Sequence, residues 1–413
     1  MGVAAQGRPG RRNARRLALA AATAGVLAVA PLAGCGLFGP VEATAPGASQ
    51  SPSVEPLADV PPGAPGQLIS AERLPGAADV LVWRVAYHTT DHNGADVAAT
   101  GVVLAPASGP GDAVPAGGRP VVAFGHGTTG LADACAPSRL EPTLAALGAT
   151  LSLVRAGYVV AAADYVGLGG PGEHAIYAAR PEGQAMLDIA RAARGVPRAR
   201  AGSEVVAWGY SQGGQAALAA GALAATYAPD LDLRGVVAMA PLVDLSRSLR
   251  GLLQHNDSGV AYVLLAAFGV SVTRPGVRLD DELTAEGRRM LSVARQECAV
   301  DLLAASVGVS AADLFVTDPL TTEPFASAFA AQRTAVLRRM PPVLLIQGDA
   351  DDVIGREVTD GVVRDLCATG TVVDYRRYPG AGHSTIFPAS AGDMDAWIAN
   401  LFAATSAPVH DIC

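Results

Sequence analysis

The sequence contains no lysine, so all 30 of its basic residues are arginine, and only 5% of its residues are aromatic. Acidic residues number 38, which gives a formal net charge of −8. Five arginines lie in the first 34 residues, which hold no acid, so the remainder has 25 basic and 38 acidic residues, or −13. This acidic balance argues against nucleic acid as a partner. The 413 residues, half of them hydrophobic, suffice for one large core or for a core with a cap.

The N-terminal segment has the pattern of an export signal. Its five arginines precede an apolar run at residues 17–30, which is too short to span a bilayer comfortably. The sequence LAGC follows at residues 32–35 and resembles the bacterial lipoprotein box, which implies lipid attachment to the Cys35 thiol. An ordinary secretory signal with a nearby cysteine is the alternative. We predict a lipoprotein signal peptide at residues 1–34 and membrane attachment through the acyl chains on Cys35.

The segment after Cys35 is rich in proline, alanine, serine and glycine up to about residue 66 and has little apolar periodicity. Such a composition is typical of a flexible linker. We therefore predict a tether at residues 35–66 and a folded domain at residues 67–413.

Four further cysteines, Cys135, Cys298, Cys367 and Cys413, follow the predicted anchor. An even number of cysteines in an exported chain indicates two disulfides, and sequence alone allows three pairings. In the chain-entropy picture, a disulfide between cysteines this far apart in the sequence contributes roughly 4–5 kcal/mol to stability. Metal binding is the competing interpretation, but no CxxC spacing supports it, and we expect neither a metal nor a cofactor.

Strand and helix patterns alternate along most of the chain. The strand-like runs are short and apolar: residues 80–87, 97–104, 120–124, 158–163, 204–208, 235–239, 342–346 and 371–376. The helical patterns between and after them cover residues 182–194, 215–227 and 391–402. Apolar strands that alternate with helices predict an α/β fold with a mostly parallel sheet flanked by helices.

Residues 243–339 break this alternation, because no strong strand pattern occurs there. Helical patterns cover residues 245–253, 260–267, 281–296 and 326–338. We predict that this segment is a helical cap, inserted over the carboxyl edge of the sheet and before the strand at residues 342–346.

Residues 209–213 read GYSQG, between a predicted strand and an alanine-rich helix. This Gly-x-Ser-x-Gly pattern in that setting predicts a nucleophile elbow, a sharp turn that exposes the serine hydroxyl. Glycine is needed at both ends of the motif, where strand and helix come close together. We predict that Ser211 is a nucleophile, and a serine hydroxyl requires a neighbouring base to act as one.

The acid and base follow the serine in the chain order that the elbow predicts. Residues 347–354 read QGDADDVI after a predicted strand, and Asp351 has the expected spacing; Asp352 and Asp349 are the alternatives. His383 lies 32 residues after Asp351 in a glycine-rich loop. We expect the imidazole to act as general base and the carboxylate to fix its tautomer.

An oxyanion hole needs two backbone N–H groups. One is expected from Gln212, directly after the serine, and the other from the GHGTTG loop at residues 125–130. We assign the second donor to Thr128, with Thr129 as the alternative. His126 in the same loop is expected to brace the loop rather than to transfer protons.

Four stretches together resemble the secretory lipases of the fungal lipase A type, which also occur in actinobacteria. They are WRVAYHTTD at residues 83–91, GHGTTG with CAPS at residues 125–138, GYSQGG at residues 209–214, and the pair Asp351 and His383. The likeness covers roughly residues 70–413. It implies an α/β-hydrolase fold with a helical cap, a Ser-Asp-His triad, and disulfides that join Cys135 to Cys298 and Cys367 to Cys413. The cap is the least similar region.

The resemblance also implies hydrolysis of acylglycerols or simpler esters. We therefore expect an exported lipase or carboxylesterase with an ester or lipid substrate, attached to a bacterial membrane through Cys35. An acyltransferase or serine peptidase on the same fold, and an inactive hydrolase-like binding lipoprotein, are the alternatives. Chain-length preference and oligomeric state are not encoded in these motifs.

Overall fold

The computed structural model describes residue 57 and residues 60–107, 114–403 and 410–413. The predicted signal peptide, Cys35 and most of the predicted tether lie outside the described residues. None of the described helices is both long and apolar enough to cross a membrane.

The last part of the predicted tether falls within the described residues. The Gly63 amide donates a hydrogen bond of 2.8 Å to the Asp96 carboxylate. The Gly66 amide donates one of 2.7 Å to the carbonyl of His88. The chain is therefore attached to the two antiparallel strands at residues 80–90 and 96–106 before residue 67.

The described residues form nine strands and thirteen α-helices. The strands are Leu68–Leu74 (β1), Val80–Thr90 (β2), Asp96–Pro106 (β3), Arg119–Gly125 (β4), Val159–Tyr165 (β5), Ala201–Tyr210 (β6), Asp232–Met239 (β7), Val343–Gly348 (β8) and Val373–Tyr378 (β9). The helices outside the predicted cap are Thr143–Ala146 (α1), Leu151–Arg155 (α2), Ala179–Ala193 (α3), Gln212–Tyr227 (α4), Arg356–Ala368 (α12) and Ile386–Phe402 (α13). Those within it are Leu245–His255 (α5), Val260–Thr273 (α6), Leu279–Glu282 (α7), Ala285–Gln296 (α8), Ala299–Ala305 (α9), Ala311–Leu314 (α10) and Phe325–Val336 (α11).

All nine strands belong to one sheet with the order β1-β2-β3-β5-β4-β6-β7-β8-β9. In this order, the six strands β5, β4, β6, β7, β8 and β9 pair in parallel. β1 pairs antiparallel with β2, β2 with β3, and β3 with β5. The prediction of a mostly parallel sheet flanked by helices is confirmed. The carboxyl ends of the parallel strands meet at one edge, which is where sites form in such sheets.

Alternate residues of the central strands enter two different cores, as the two-residue period of a strand requires. Val121 and Ala123 of β4 pack in the core that also contains α3 and α4. Val122 and Phe124 pack in the opposite core, where the rings of Phe124 and Trp208 lie 4.6 Å apart. Burial on both faces explains why these strands are continuously apolar.

Helices α5 to α11 all lie between β7 and β8 in the sequence. The predicted helical insertion before β8, the strand that precedes Asp351, is therefore confirmed. Their apolar side chains form a separate core around α6, in which ten of fourteen residues are buried. Leu131, Tyr177 and Ile354 from outside the cap belong to the same core. The cap therefore shares apolar packing with the loops that follow the strands.

Several elements differ from the sequence predictions, which did not include α1, α2, α9, α10 or α12. The strand β1 was not predicted, because its residues are mostly part-exposed and it pairs only with β2. The predicted helix at 281–296 is divided, because the Thr284 hydroxyl accepts the Gly287 amide and caps a new helix, α8. The predicted strand at 371–376 begins and ends two residues later, as β9.

Candidate active site

Ser211 lies in the turn between β6 and α4 with φ 56° and ψ −116°, a backbone conformation that non-glycine residues rarely adopt. Its amide donates to the carbonyl of Met239 on β7 at 2.9 Å, which ties the turn to the neighbouring strand. A Cβ atom on Gly209 would lie 1.8 Å from the Gly213 carbonyl oxygen, and one on Gly213 1.9 Å from that of Gly125. The motif glycines are therefore required by close backbone contacts.

His383 follows β9, and its ring lies between Ser211 and an acid. Its Nε2 atom is 3.1 Å from the Ser211 Oγ, and its Nδ1 atom is 2.8 Å from Oδ2 of Asp351. The Tyr210 ring packs 4.9 Å from the imidazole, and the Tyr210 hydroxyl donates to the His383 carbonyl at 3.0 Å. The structure thus brings Ser211, His383 and Asp351 into one hydrogen-bonded line.

The carboxylate of Asp351 is fully buried and held by several donors. The amides of Val353 and Ile354 donate to its Oδ1 at 2.9 and 2.7 Å, and the Gln347 side chain donates to its Oδ2 at 3.2 Å. The two alternative acids lie elsewhere. Asp352 is exposed, and the Asp349 carboxylate is 3.7 Å from the Arg377 guanidinium.

Gln212 directly follows Ser211, and Thr128 lies near Ser211 in the fold. Gln212 is the buried first residue of α4, so its amide belongs to the helix N-terminus, where backbone N–H groups are free and favour negative charge. Thr128 lines a pocket together with Ser211. The alternative residue, Thr129, accepts a hydrogen bond on its carbonyl from the Ala299 amide of the cap at 2.8 Å.

The loop that carries Thr128 is braced from both sides. The His126 Nδ1 lies 2.6 Å from the Gly127 carbonyl, and the Tyr165 hydroxyl donates to the His126 carbonyl at 3.1 Å. Burial lowers the pKa of His126, which suits a structural imidazole. The disulfide between Cys135 and Cys298 connects the chain just after this loop to the cap. Cys367 is bonded to Cys413, so both disulfides have the pairing that the resemblance implied.

A buried polar network lies behind Gln212. Glu182 of α3 accepts hydrogen bonds of 2.8 Å from the Gln212 side-chain amide and from the Tyr177 backbone amide, both at Oε1. The His174 Nε2 lies 3.3 Å from the same Gln212 nitrogen. Burial raises the pKa of Glu182 to about 8 and lowers that of His174 to about 4. Nothing in the sequence singles out Glu182, because an acid in the first turn of a helix is ordinary.

The pocket beside Ser211 is small and mostly apolar. Its volume is about 10 Å³, which is room for about one water molecule. Its walls come from the cap and from the loops that follow the strands: Thr128, Leu242, Ser248, Leu249, Leu252, Tyr262, Val353 and Ile354. An acyl chain therefore requires displacement of the cap side chains.

Among the described residues, no group of three or more histidine, cysteine, aspartate or glutamate side chains is arranged to hold a metal ion. At the carboxyl edge of the sheet, a hydroxyl, an imidazole and a carboxylate form one hydrogen-bonded line beside a helix N-terminus. Such an arrangement is suited to acyl transfer through a serine.

The sequence profile of the secretory lipase family matches residues 143–409, which is more than half of the chain. The chain belongs to the secretory lipase family. A lipase A from Moesziomyces aphidis is 24% identical over 349 residues, or 78% of this chain and 73% of that protein. A protein from Mycobacterium tuberculosis that is named a probable inactive lipase is 26% identical over 351 residues, or 81% of this chain and 76% of that protein.

Solved structures agree on the fold. The structure of Candida antarctica lipase A matches with a TM-score of 0.71 at 23% identity, over 84% of each chain. A rice cell wall degrading esterase, LipA from Xanthomonas oryzae, matches with a TM-score of 0.66 at 19% identity, over 83% of this chain and 99% of that one. The α/β-hydrolase fold is therefore confirmed.

Proposed function

We propose that the protein hydrolyses carboxylic esters with Ser211 as nucleophile, His383 as general base and Asp351 as the acid that orients His383. The observation that carries this proposal is the hydrogen-bonded line from the Ser211 Oγ through His383 to Asp351, at 3.1 and 2.8 Å. The strained backbone of Ser211 supports it, because strain of this kind is concentrated at functional sites.

The reaction begins when the Ser211 Oγ attacks the acyl carbon of the ester while His383 Nε2 takes the hydroxyl proton. The carbonyl oxygen becomes negative and is stabilised by the backbone N–H groups of Gln212 and Thr128. His383 then gives its proton to the leaving alcohol, which leaves an acyl group on Ser211. His383 then takes a proton from a water molecule, whose oxygen attacks the acyl carbon, and the bond from that carbon to the Ser211 Oγ breaks. His383 returns the proton to the Ser211 Oγ, which restores the enzyme as the carboxylic acid leaves. Asp351 stays ionised and stabilises the imidazolium.

Loss of activity is the second candidate, because one relative is named a probable inactive lipase. This chain nevertheless retains a serine, a histidine and an aspartate in hydrogen-bonded contact. A fluorophosphonate probe separates the two candidates, since the serine oxygen attacks phosphorus and fluoride leaves only where the serine is activated. We expect the wild type to take one label.

Ser211→Ala tests the nucleophile. We expect this variant to take no label and to lose about 10⁶-fold in kcat, the loss found when such a nucleophile is removed. The measurement is turnover of p-nitrophenyl acetate beside labelling. Ser384→Ala, next to His383 in the sequence, is the matched control and should label normally. A wild type that neither takes the label nor turns over esters would favour the second candidate, loss of hydrolase activity.

We also propose that the chain is exported and attached to a bacterial membrane through lipid on Cys35. The arginine-rich start, the apolar run and the LAGC sequence at residues 32–35 support this proposal. Cys35→Ala should move the protein from the membrane fraction to the soluble fraction, and globomycin should block processing of the wild type. Ser211→Ala is the control and should stay with the membrane. A wild type found freely soluble after processing would contradict the anchor.

A further inference from the structure

Glu182 is linked to both residues whose backbone N–H groups are proposed to stabilise the ester carbonyl oxygen. Its Oε1 atom accepts the side-chain amide of Gln212, the residue directly after Ser211, at 2.8 Å. The same oxygen accepts the backbone amide of Tyr177 at 2.8 Å, and the Tyr177 hydroxyl lies 2.9 Å from the Thr128 Oγ1. One buried carboxyl is thus linked directly to Gln212 and through one tyrosine to Thr128.

The second oxygen of Glu182 is buried and without a hydrogen-bond partner among the described residues, and so is the Oε1 atom of Gln212. Both atoms can only accept hydrogen bonds when the carboxyl is ionised. A proton on Glu182 makes one of them a donor. The geometry therefore suits an uncharged acid better than a carboxylate, because a buried anion needs more partners than this one has.

Among the described residues, the groups around Glu182 supply no positive charge to hold it in the ionised form. Tyr165 and Tyr177 interact electrostatically with Glu182 itself. Further titratable groups on the segments around α3 are Tyr87 of β2, His126 after β4, Asp164 of β5 and His174 before α3. Burial raises the pKa of the three tyrosines well above the usual value and lowers the pKa of the two histidines.

The remaining charged groups near Glu182 have other hydrogen-bond or ion-pair partners. The Asp164 carboxyl is occupied by the Thr100 hydroxyl and the Ser138 amide, at 2.7 and 3.0 Å. α4 presents the uncharged Gln212 to Glu182, and the cap helix α11 packs against α3 through Gln332, which accepts the Ala179 amide. The Arg333 guanidinium of α11 forms ion pairs with Asp244 and Asp365 instead.

We propose that Glu182 is a positioning residue that holds both donors of the oxyanion hole, Gln212 directly and Thr128 through Tyr177, and that it does so as an uncharged acid. This inference rests on the proposed ester hydrolysis. Ionisation of Glu182 places a negative charge against Gln212, close to the oxygen that becomes negative in the transition state. Activity therefore falls at alkaline pH, when Glu182 loses its proton.

Two substitutions at this position separate the role of Glu182 from a merely structural one. Glu182→Gln keeps an oxygen for the amides of Gln212 and Tyr177 and supplies a permanent N–H donor. We expect its kcat at pH 7 to stay within about threefold of wild type, because the hydrogen bonds are replaced in kind. Glu182→Ala leaves both amides without their acceptor, and we expect kcat to fall about 10²-fold with a much smaller change in KM.

The pH profile of kcat/KM for p-nitrophenyl butyrate, corrected for spontaneous hydrolysis, is the deciding measurement. The wild type should lose activity above about pH 8, the pKa to which burial raises Glu182, and Glu182→Gln should not. Asp188→Asn is the matched control, since Asp188 is a second buried acid of α3 that contacts Thr89 and Tyr227 rather than Gln212. It should keep the alkaline loss of wild type.

An alkaline loss that persists in Glu182→Gln would overturn the proposal, as would a Glu182→Ala variant that folds and keeps its kcat. If Glu182→Ala does not fold, the profile of Glu182→Gln decides alone. Failure of the proposed function is recognised separately, because wild type would then show neither ester turnover nor fluorophosphonate labelling.

Discussion

Burial and hydrogen-bond donors distinguish Asp351 from its two acidic neighbours in the fold. The amides of Val353 and Ile354 and the His383 ring all point at its carboxylate, whereas Asp352 is exposed. A carboxylate held in this way fixes which imidazole nitrogen carries the proton. The spacing of the motif selects the same residue, but only the fold supplies the reason.

Asp351→Asn should lower kcat by about 10⁴-fold, because an amide stabilises the wrong imidazole tautomer while it leaves the shape of the site unchanged. Steady-state hydrolysis of a short p-nitrophenyl ester is the measurement. Asp352→Asn, the adjacent and exposed aspartate, is the matched control and should keep wild-type kcat. Equal losses in the two variants would reject Asp351 as the orienting acid.

Glu182 also makes the stability of the fold depend on pH. The pKa of Glu182 is raised from 4.5 to about 8 by burial, so the unfolded chain releases this proton at lower pH than the folded chain does. Below about pH 4.5, Glu182 therefore does not lower the free energy of unfolding. Its burial lowers that free energy progressively as pH rises, and the reduction is complete above about pH 8.

Glu182→Gln should remove this penalty. Its melting temperature should match that of wild type near pH 4 and exceed it increasingly up to pH 8, where the difference in unfolding free energy reaches roughly 4–5 kcal/mol at most. Thermal unfolding followed by circular dichroism at several pH values is the test. A difference in melting temperature that does not change with pH would count against a buried uncharged acid.

At the scale of elements, the cap helix α5 limits access to Ser211. Leu249 and Leu252 of α5 and Tyr262 of α6 line the pocket, whose volume of about 10 Å³ admits little more than a water molecule. Short acyl groups require the least displacement of these side chains. In solution we therefore expect acetate and butyrate esters to be hydrolysed with higher kcat/KM than palmitate esters.

Leu252→Ala should shift this preference towards longer chains by about tenfold in the ratio of kcat/KM for octanoate over acetate, because it removes buried methyl groups from the pocket wall. A panel of p-nitrophenyl esters from acetate to palmitate gives this ratio. Leu253→Ala removes the same atoms from the next, part-buried position of α5, outside the pocket lining, and should leave the ratio unchanged. A shift of equal size in both variants would mean that α5 is only loosened.

The elbow could be predicted from sequence because its pattern is local: Gly209 and Gly213 lie two residues on either side of Ser211. The contact that requires Gly213, with the Gly125 carbonyl, appears only in the folded chain. Glu182 could not, because its burial and its contact with Gln212 arise only when α3 packs beside α4. The strand β1 escaped prediction because an edge strand with exposed residues has no apolar period. The division of α7 from α8 depends on one hydroxyl cap at Thr284, which a continuous helical pattern conceals.

At the scale of the whole molecule, the two disulfides stabilise different ends of the sheet. The bond between Cys135 and Cys298 spans 163 residues and joins the chain after the Thr128 loop to the cap. The bond between Cys367 and Cys413 spans 46 residues and lies near the start of β9, at the opposite end of the parallel strands from Ser211. Only the first can influence the site through the loop.

Replacement of Cys135 and Cys298 by alanine should cost about 5 kcal/mol of stability and also lower kcat, because the cap and the Thr128 loop lose their covalent connection. Replacement of Cys367 and Cys413 should cost about 4 kcal/mol and leave kcat unchanged. Chemical unfolding gives the stability of each double variant, and ester turnover well below its unfolding midpoint gives kcat. Equal kcat in the two would show that the cap needs no such connection.

The separation of Ser211 from His383 by 172 residues has a consequence for the protein before it is folded. Synthesis proceeds from the N-terminus, so the proposed nucleophile is made long before β8 and β9, which precede the proposed acid and base. A chain that has not yet formed these two strands thus carries an inert serine. The proposed activity arises only after the last strands have joined the sheet, so ester turnover during refolding reports the completion of the fold.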